Sequence, residues 1–516
     1  MVENKKAFKS KEDLQEAILR EKARGTPDIE IGEKYGVSFK FIEKVITQKK
    51  GINISNLNKK KQIKFLNPNN FSLEKTSVWS FKQRGNWATH SGEYRGNYSP
   101  YIPRNIILRY SKPGELVLDM FCGAGTTAIE AKLLGRRCIA SDINEKAIEL
   151  ARENLDFPIN LLPFLEESKR EYYEPELRVQ DARDLSWLTN ESVDLICTHP
   201  PYANIIQYTD KKAKDLSFLD VKEFLVEMKK VAKESLRILK PGRQCALLIG
   251  DMRRKRHVIP LGFMLINIFL EAGFYLRELI IKRQHNCKTT GFWYNKSIEN
   301  NFLLLAHEYL PVFEKPLEQT KIKKISTQIY TSFLEKKMLK LSKEISPLET
   351  TTVWIFPTKN KDSLLVSNLI QRYASRDKFI CLKVSGKNIR EETIPLKINK
   401  KYKLGWVKVA SDEDSYSVLQ PESILQTVST TVEQLEPRLC PDGFIAIETR
   451  DIRSGNQLIP FGKLAVDYIK DHNLWLKEII IVTPESSTSK LNSFSDKKPN
   501  EFLEIIHSYL LVYEKK

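Results

Sequence analysis

The chain has 516 residues, 83 Lys and Arg against 65 Asp and Glu, a formal net charge of +18 and a pI near 9.3. Such a length exceeds one ordinary domain, and the positive excess favours a polyanionic partner. Seven scattered cysteines with no C-x-x-C pair exclude a zinc framework and a disulfide scaffold, so no metal site is expected and a reducing compartment is. No run approaches the roughly 18 apolar residues of a membrane span, and Met1 to Lys6 shows no signal-peptide core, so a cytoplasmic protein without membrane contact is expected.

Residues 1–50 read as small helices. Thr26-Pro27-Asp28 is a helix start, Ile29, Ile31 and Tyr35 mark a short helix, and Gly36-Val37-Ser38 is a turn. Phe41, Ile42, Val45 and Ile46 form the apolar face of another helix. The pattern is that of a helix-turn-helix whose second helix enters a major groove, or of an ordinary helical hairpin. Residues 51–75 are polar and lysine-rich and read as a linker. From residue 76 to about 320 strands and helices alternate. Strands are expected at Glu115–Leu118, Cys138–Ala140, Val193–Cys197, Ala246–Ile249 and Leu276–Ile281. Helices are expected at Ala128–Leu134, Glu145–Leu155 and Val221–Leu239, the last ending on Lys240-Pro241-Gly242. That alternation predicts an α/β fold with a mostly parallel sheet covered on both faces.

The chain then repeats itself. Thr76 to Phe81 resembles Thr351 to Phe356, Asp251 and Arg253 match Asp451 and Arg453, and Ile259-Pro260-Leu261-Gly262 matches Ile459-Pro460-Phe461-Gly462. His307-Glu308-Tyr309-Leu310 matches His507-Ser508-Tyr509-Leu510. The later pairs lie 200 residues apart and the first pair 275, so the second copy is shorter by about 75 residues. The loss falls where the first copy has its glycine loop and its Pro-Pro motif. The reading is a duplicated α/β domain whose second copy, 346–516, is degenerate and has no catalytic centre.

Two motifs carry chemistry. Asp119-Met120-Phe121-Cys122-Gly123-Ala124-Gly125-Thr126-Thr127 joins a strand to a helix through glycines, which lets backbone N–H groups approach a ligand closely. Asp142, about 20 residues on at the end of the next strand, is placed for ribose hydroxyls, and Asp181 offers a carboxylate to an adenine amino group. The second motif is His199-Pro200-Pro201-Tyr202, at the end of the Val193–Cys197 strand. Its prolines fix their own φ and force their predecessors into extended conformations, so His199, the loop carbonyls and Tyr202 are held in one arrangement. Arg253, Arg254, Lys255 and Arg256 make a basic run that reads as phosphate contacts or as a solvated loop. Thr289 to Asn295 reads as a base-pocket wall or a capped hairpin. No Pro-Cys occurs, which excludes a cysteine nucleophile of the carbon-five cytosine type.

Together these motifs resemble the S-adenosylmethionine-dependent DNA methyltransferases that modify exocyclic amines, adenine N6 or cytosine N4. Tyr98 to Asn105 is similar to that family's cofactor-flanking segment and His307 to Lys315 to its closing strand, so the resemblance covers about 76 to 315. It implies a Rossmann-like sheet and S-adenosylmethionine as cofactor. Asp119, Phe121, Gly123, Gly125 and Thr126 would cradle it, Asp142 would hold its ribose and Asp181 its adenine. His199, Pro200, Pro201 and Tyr202 would form the catalytic loop, with Tyr202 stacking on a base flipped out of duplex DNA. His199 departs from the pattern, since members carry Asp, Asn or Ser there. A restriction or phage-defence partner is expected from the resemblance, and either a dimer or an intramolecular pseudo-dimer. An RNA methyltransferase acting on guanine N2, or a DNA-binding protein that keeps the fold without turnover, are the competing readings.

Overall fold

A computed structural model describes residues 10–24, 26, 28–37, 41–42, 45, 63–92, 94, 96–159, 171–203, 215–285, 296–317, 330–333, 338, 340–374, 378–385, 400–409, 421–469, 472–485 and 502–516. None of the helices among these residues is long and apolar enough to cross a membrane.

At the N-terminus, helices Lys11–Ala23 and Asp28–Tyr35 pack through Ile18 and Ile31 onto Ile42 and Val45, four side chains fully buried or nearly so. Glu21 joins the two helices, accepting from Lys34 Nζ at 2.7 Å, Thr26 Oγ1 at 3.0 Å and the Tyr35 hydroxyl at 3.2 Å. Of the next expected helix only residues 41, 42 and 45 are described. Within the stretch read as a linker, residues 63–75 lie against the first sheet's helices: Ile63, Phe65 and Leu66 join its core, and the Glu74 N–H donates to Asn105 Oδ1.

The first sheet has eight strands. They are β1 (Val78–Ser80), β2 (Leu116–Asp119), β3 (Arg137–Asp142), β4 (Glu176–Val179), β5 (Val193–Thr198), β6 (Leu239–Leu247), β9 (Tyr275–Arg283) and β10 (His307–Glu314); a small hairpin, β7 (Met252–Arg254) and β8 (His257–Ile259), stands apart. The order is β1-β9-β10-β6-β5-β2-β3-β4, parallel except for β10, which runs antiparallel to both neighbours. Apolar runs such as Val193–Thr198, buried at every position, are what a sheet covered on both faces demands. One face is covered by Val221–Ile238 and Leu261–Ala272, the other by Tyr101–Tyr110, Thr126–Leu133 and Glu145–Leu155. The helix Val221–Ile238 starts in a capping box of Asp220 and Glu223. It ends one residue before the expected Leu239, and Lys240-Pro241-Gly242 lies inside β6. Gly242, at φ 75°, falls where the register with β5 shifts, so the Pro-Gly pair forms a strand irregularity instead of a helix stop.

The second sheet comprises β11 (Tyr330–Phe333), β12 (Val353–Phe356), β13 (Phe379–Ser385), β14 (Tyr402–Val409), β15 (Leu439–Thr449), β18 (Leu474–Pro484) and β19 (Ser508–Lys515), with its own hairpin, β16 (Ile452–Ser454) and β17 (Gln457–Ile459). From the β12 edge it reads β12-β18-β19-β15-β14-β13-β11. The first six strands repeat β1-β9-β10-β6-β5-β2 in order and direction. Registers coincide as well: Phe313 pairs Cys245, and Tyr513 pairs Ile445. At the far edge the sheets diverge, because β11 runs antiparallel to β13 whereas β3 runs parallel to β2.

The two sheets meet reciprocally. Arg253 in the first hairpin donates to Glu478 Oε2 (2.5 Å) and the Lys477 carbonyl (3.0 Å), and the Leu303 N–H donates to Glu478 Oε1 (2.9 Å). Arg453 in the second hairpin donates to Glu278 Oε2 (2.5 Å) and the Arg277 carbonyl (2.9 Å), and the Leu503 N–H donates to Glu278 Oε1 (3.1 Å). His307 Nδ1 meets Thr352 Oγ1 at 2.9 Å, and His507 Nδ1 meets Ser77 Oγ at 2.7 Å. Each contact has its counterpart with the roles exchanged, the signature of a two-fold isologous interface. Arg253 is therefore turned to the second sheet, and neither a phosphate-facing nor a solvated reading of the basic run holds for it.

Candidate functional site

A cavity opens at the C-terminal ends of β2, β3 and β5. Carboxyl ends of parallel strands are where open α/β sheets bind ligands. Among the expected residues, Phe121, Gly123, Asp142, Asp181, His199 and Pro201 line it. Asp119, Gly125, Thr126, Pro200 and Tyr202 are not in its wall.

The glycine loop is built by its neighbours. Gly123, at φ 49°, lies so close to the Tyr94 ring that a Cβ would stand 3.0 Å from Cε1. Gly125, at φ 83°, is the N-cap of Thr126–Leu133, where a Cβ would stand 3.1 Å from the Ala151 Cβ. Both positions are left-handed and crowded, which glycine alone meets without strain. Asp119 is buried under the loop, accepting from the Phe121 N–H (3.1 Å) and Thr198 Oγ1 (2.6 Å). It is a brace for the loop. Burial pushes its carboxyl up to about 6, against the pull of these hydrogen bonds.

Asp142 ends β3 facing the cavity. Its Oδ2 accepts from the Gly123 N–H (3.0 Å) and its Oδ1 from the Asn144 N–H (2.9 Å). Burial raises its carboxyl to about 6 as well. Asp181 lines the cavity too, but Arg183 grips both its oxygens, Nε to Oδ1 at 2.9 Å and Nη2 to Oδ2 at 2.7 Å, and passes on to Glu227. Apolar wall between the carboxylates comes from Met120, Ile143, Ala182 and Leu216. A close backbone cradle, a carboxylate beside it and apolar flanks suit a nucleoside with a diol, and so fit S-adenosylmethionine.

His199 stands at the cavity's other side, packed at 5.2 Å between centroids on the Tyr98 ring. Its Nε2 lies 3.2 Å from the Tyr202 hydroxyl, and its ring also bonds the Gly96 backbone. Burial lowers its pKa to about 4, so the imidazole is neutral at pH 7. The Tyr202 hydroxyl donates to Glu308 Oε1 at 2.8 Å.

Of the strap before Tyr101–Tyr110, sequence reasoning read Tyr98 to Pro100 as part of a cofactor-flanking segment and missed Tyr94, Gly96 and Asn97. Tyr94, Gly96, Asn97 and Tyr98 line the cavity, and Thr126 Oγ1 donates to Asn97 Oδ1 at 2.6 Å. The strap is pinned by Glu130, fully buried on the helix after the glycine loop, which accepts from Trp87 Nε1 (2.6 Å) and Arg104 (2.8 Å) and meets His90 Nε2 (2.7 Å). A cluster of Trp, His and Tyr ahead of a glycine loop was the available signal. Asp215 and Asn144 in the cavity wall also went unread. Thr289 to Asn295 lies outside the described residues.

Comparison with known proteins follows the same lines. A family model described as DNA methylase, of the N6/N4 type, matches residues 6–153 and 193–379, more than half of the chain, and an RMKL-like methyltransferase domain matches 107–259. The chain is 36% identical over 130 residues to a tRNA (guanine(10)-N2)-dimethyltransferase of Methanothermobacter thermautotrophicus, covering 25% of this chain and 34% of that one. It is 37% identical over 82 residues to the Type II methyltransferase M2.DpnII of Streptococcus pneumoniae, covering 15% and 30%. It thus spans about a third or less of the length of these curated relatives. Among solved structures, a DNA modification methylase of Thermus thermophilus complexed with S-adenosyl-L-methionine matches at 25% identity and a TM-score of 0.21, covering 28% of this chain and 56% of that one.

Proposed function

This chain belongs to the N6/N4 DNA methylase family, and from that premise we propose that it transfers a methyl group from S-adenosylmethionine to an exocyclic amine of adenine or cytosine in DNA. The observation that carries the reading is one cavity holding Gly123 and Asp142 on one side and His199 and Pro201 on the other. When bound, S-adenosylmethionine supplies an electrophilic methyl group on a sulfonium. Gly123 and Asp142 hold the nucleoside part. Asp119 keeps the loop in shape from beneath. His199 and the Pro200 carbonyl accept hydrogen bonds from the two amine protons, which localises the amine lone pair for attack. The neutral imidazole then takes the proton that the methylated amine sheds. Tyr202 stacks on the extruded base. The charge of +18 serves the DNA backbone, and the N-terminal helices are the candidate groove reader.

Residues 76–320 are the catalytic domain in this reading, and 346–516 a degenerate second copy acting as the partner half of an intramolecular pseudo-dimer. Support comes from where the copies differ. Matched hydrogen bonds put Glu349, Asn368 and Arg372 where the first copy has Glu74, Asn105 and Arg109. Matched strand registers put Leu404 where it has Leu195, and Phe379 where it has Val117. The numbering offset therefore falls from 275 to 263 across the strap, from 262 to 209 across the glycine helix, β3 and β4, and from 209 to 200 after the Pro-Pro motif. Each loss removes one wall of the cavity. Lys408, ion-paired with Glu448 at 3.1 Å, stands in the place of His199, and Cys381 in that of Asp119.

The relative acting on tRNA guanine supports a second reading, an RNA base methyltransferase. Purified full-length protein, radiolabelled donor, and duplex DNA beside total tRNA decide between them, with the products digested to nucleosides. N6-methyladenine or N4-methylcytosine is expected. Methylguanosine from RNA alone would replace the proposal with the second reading.

A further inference from the structure

The repeat provides an internal control for the wall behind Tyr202. Residues serving the shared fold and interface recur 200 positions apart: Asp251 and Asp451, Arg253 and Arg453, Glu278 and Glu478, His307 and His507, Tyr309 and Tyr509. Their contacts recur as well. The Tyr309 hydroxyl donates to Asp251 Oδ2 at 3.0 Å, and that of Tyr509 to Asp451 Oδ2 at 3.0 Å. Three neighbouring positions break the pattern. Glu308 faces Ser508, Lys282 faces Val482, and Gly250 faces Arg450.

The first two form one rung of the sheet, Lys282 opposite Glu308 in the first copy and Val482 opposite Ser508 in the second. Both rungs lie in the same antiparallel pairing, so the ladder folds without the charges. In the first copy they form an ion pair of 2.8 Å, with side chains 18% and 10% exposed. Burying such a pair is costly, and an apolar pair of similar shape is often no worse. A role outside the ladder is indicated, and the contacts supply it. Glu308 Oε1 accepts from the Tyr202 hydroxyl at 2.8 Å, while Oε2 takes Lys282. Gly250 leaves room for both: a Cβ there would stand 3.1 Å from Tyr202 Cε2 and 3.5 Å from Glu308 Cγ.

We infer that Glu308, with Lys282 as its counter-ion, is a positioning residue of the methyl-transfer site, acting on His199 through the Tyr202 hydroxyl. This rests on the reading of the cavity as a methyl-transfer site. A tyrosine hydroxyl has one proton to donate. Tyr202 can give it to Glu308 at 2.8 Å or to His199 Nε2 at 3.2 Å. A carboxylate is the stronger acceptor, and it draws the proton away, so the Nε2 lone pair stays open to the substrate amine. After transfer the direction matters again. The amine N–H bond breaks, its electron pair remains on the methylated nitrogen, and the proton forms an N–H bond at Nε2. That imidazolium then donates to the Tyr202 oxygen, which donates to Glu308, and the anion stabilises the charge two bonds away. Glu308 is suited to stay ionised: burial raises its pKa, but the Lys282 charge and the Tyr202 hydrogen bond help hold it below the usual carboxylate value.

The second copy supplies the test variant. The full-length double substitution Glu308→Ser with Lys282→Val installs a rung that already pairs between β18 and β19. The expected result is an unchanged thermal midpoint, donor affinity within twofold of wild type by calorimetry, an unchanged KM for DNA, and a kcat lowered about 20-fold or more. Tyr202→Phe should show the same defect, and the triple variant should be no worse than Tyr202→Phe. A double variant that transfers at the wild-type rate, that fails to fold, or whose loss multiplies with that of Tyr202→Phe would overturn the inference. A wild-type protein that transfers to neither DNA nor RNA would overturn the underlying reading instead, and with it this one.

Discussion

Removing Arg253 should cost as much as removing Arg453, although only the first lies in the half proposed as catalytic. Glu478 is fully buried, and its bonds beyond the Leu303 N–H come from Arg253, whose side chain is 16% exposed. Glu278 is 2% exposed and depends in the same way on Arg453, 18% exposed. Deleting one partner of a buried pair strands the other charge, at a cost of about 3–5 kcal/mol. Arg253→Met and Arg453→Met should each lose that amount. Together they should lose nearly the sum, which approaches the whole stability of a typical domain, about 5–15 kcal/mol. Urea titration followed by tryptophan fluorescence measures the losses as midpoint shifts at constant slope. The loss also has a pH signature. Burial already raises the pKa of both carboxyls, with the arginines pulling them back. Without its arginine the carboxyl rises further, so the folded variant keeps a proton that the unfolded chain releases near pH 4.3. The deficit relative to wild type is therefore small while both folded carboxyls keep the proton, and it grows as pH climbs past the wild-type carboxyl's own raised pKa. A loss under about 1 kcal/mol for either variant, the scale of exposed ion pairs, or strongly unequal losses, would refute the isologous reading.

Asp142→Ala should weaken donor binding at least tenfold by calorimetry, with the fold retained by circular dichroism. In the wild type the Asp142 carboxyl, raised to about 6 by burial, accepts a ribose hydroxyl most strongly when ionised. Donor affinity should fall as pH drops through about 6, by about tenfold between pH 7.5 and 5; a flat profile would exclude Asp142 from the contact. At saturating donor, kcat should stay near its plateau down to about pH 5, because burial lowers the His199 pKa to about 4 and the acceptor imidazole stays neutral above it. An acid limb near 6.5 would show that His199 does not accept in its buried form. Gly262→Ala and Gly462→Ala should be destabilising by a similar 1–3 kcal/mol or so, since each Cβ would meet the Cδ2 of Tyr309 or Tyr509 at 2.3 and 2.4 Å; thermal midpoints compare them.

Much of the first sheet and its cavity could be read from local pattern. Apolar runs gave β2, β3 and β5, and the helix over Glu145–Leu155 was read to the residue. Gly123, Asp142 and His199 converge on one cavity because strand-to-helix turns in a parallel sheet all open at the same edge. What local pattern could not give was anything set by sequence-distant partners. Arg253 looked like a phosphate contact because its acceptor lies 225 residues away. Asp181 lines the cavity as expected, but the grip of Arg183 on it depends on a turn whose geometry is not coded in spacing. Lys240-Pro241-Gly242 looked like a helix stop because its composition is that of one, and tertiary pairing of β6 with β5 and β10 overrode it. The helix repeat between Tyr101–Tyr110 and Lys361–Tyr373 escaped notice because its offset differs from the 275 and 200 of the visible anchors.

In the proposed reading of 346–516 as a degenerate copy, the reciprocal interface accounts for what that half keeps: the strand order and the contacts with the first sheet. The first sheet alone would lack the Arg453 partner of Glu278, and the His507 ring and the Ile506 N–H that meet Ser77. Every group that answers these needs lies on the hairpin β16–β17, on β19 or beside it. None lies in the strap, the glycine helix or the Pro-Pro loop. In that reading a degenerate copy sheds the walls of its cavity at no cost to the interface, but cannot shed Arg453 or His507. The pattern of loss and retention follows from that division of labour between sheet edges: the C-terminal edge carries the cavity, and the edge at β1, β9 and β10 carries the partner.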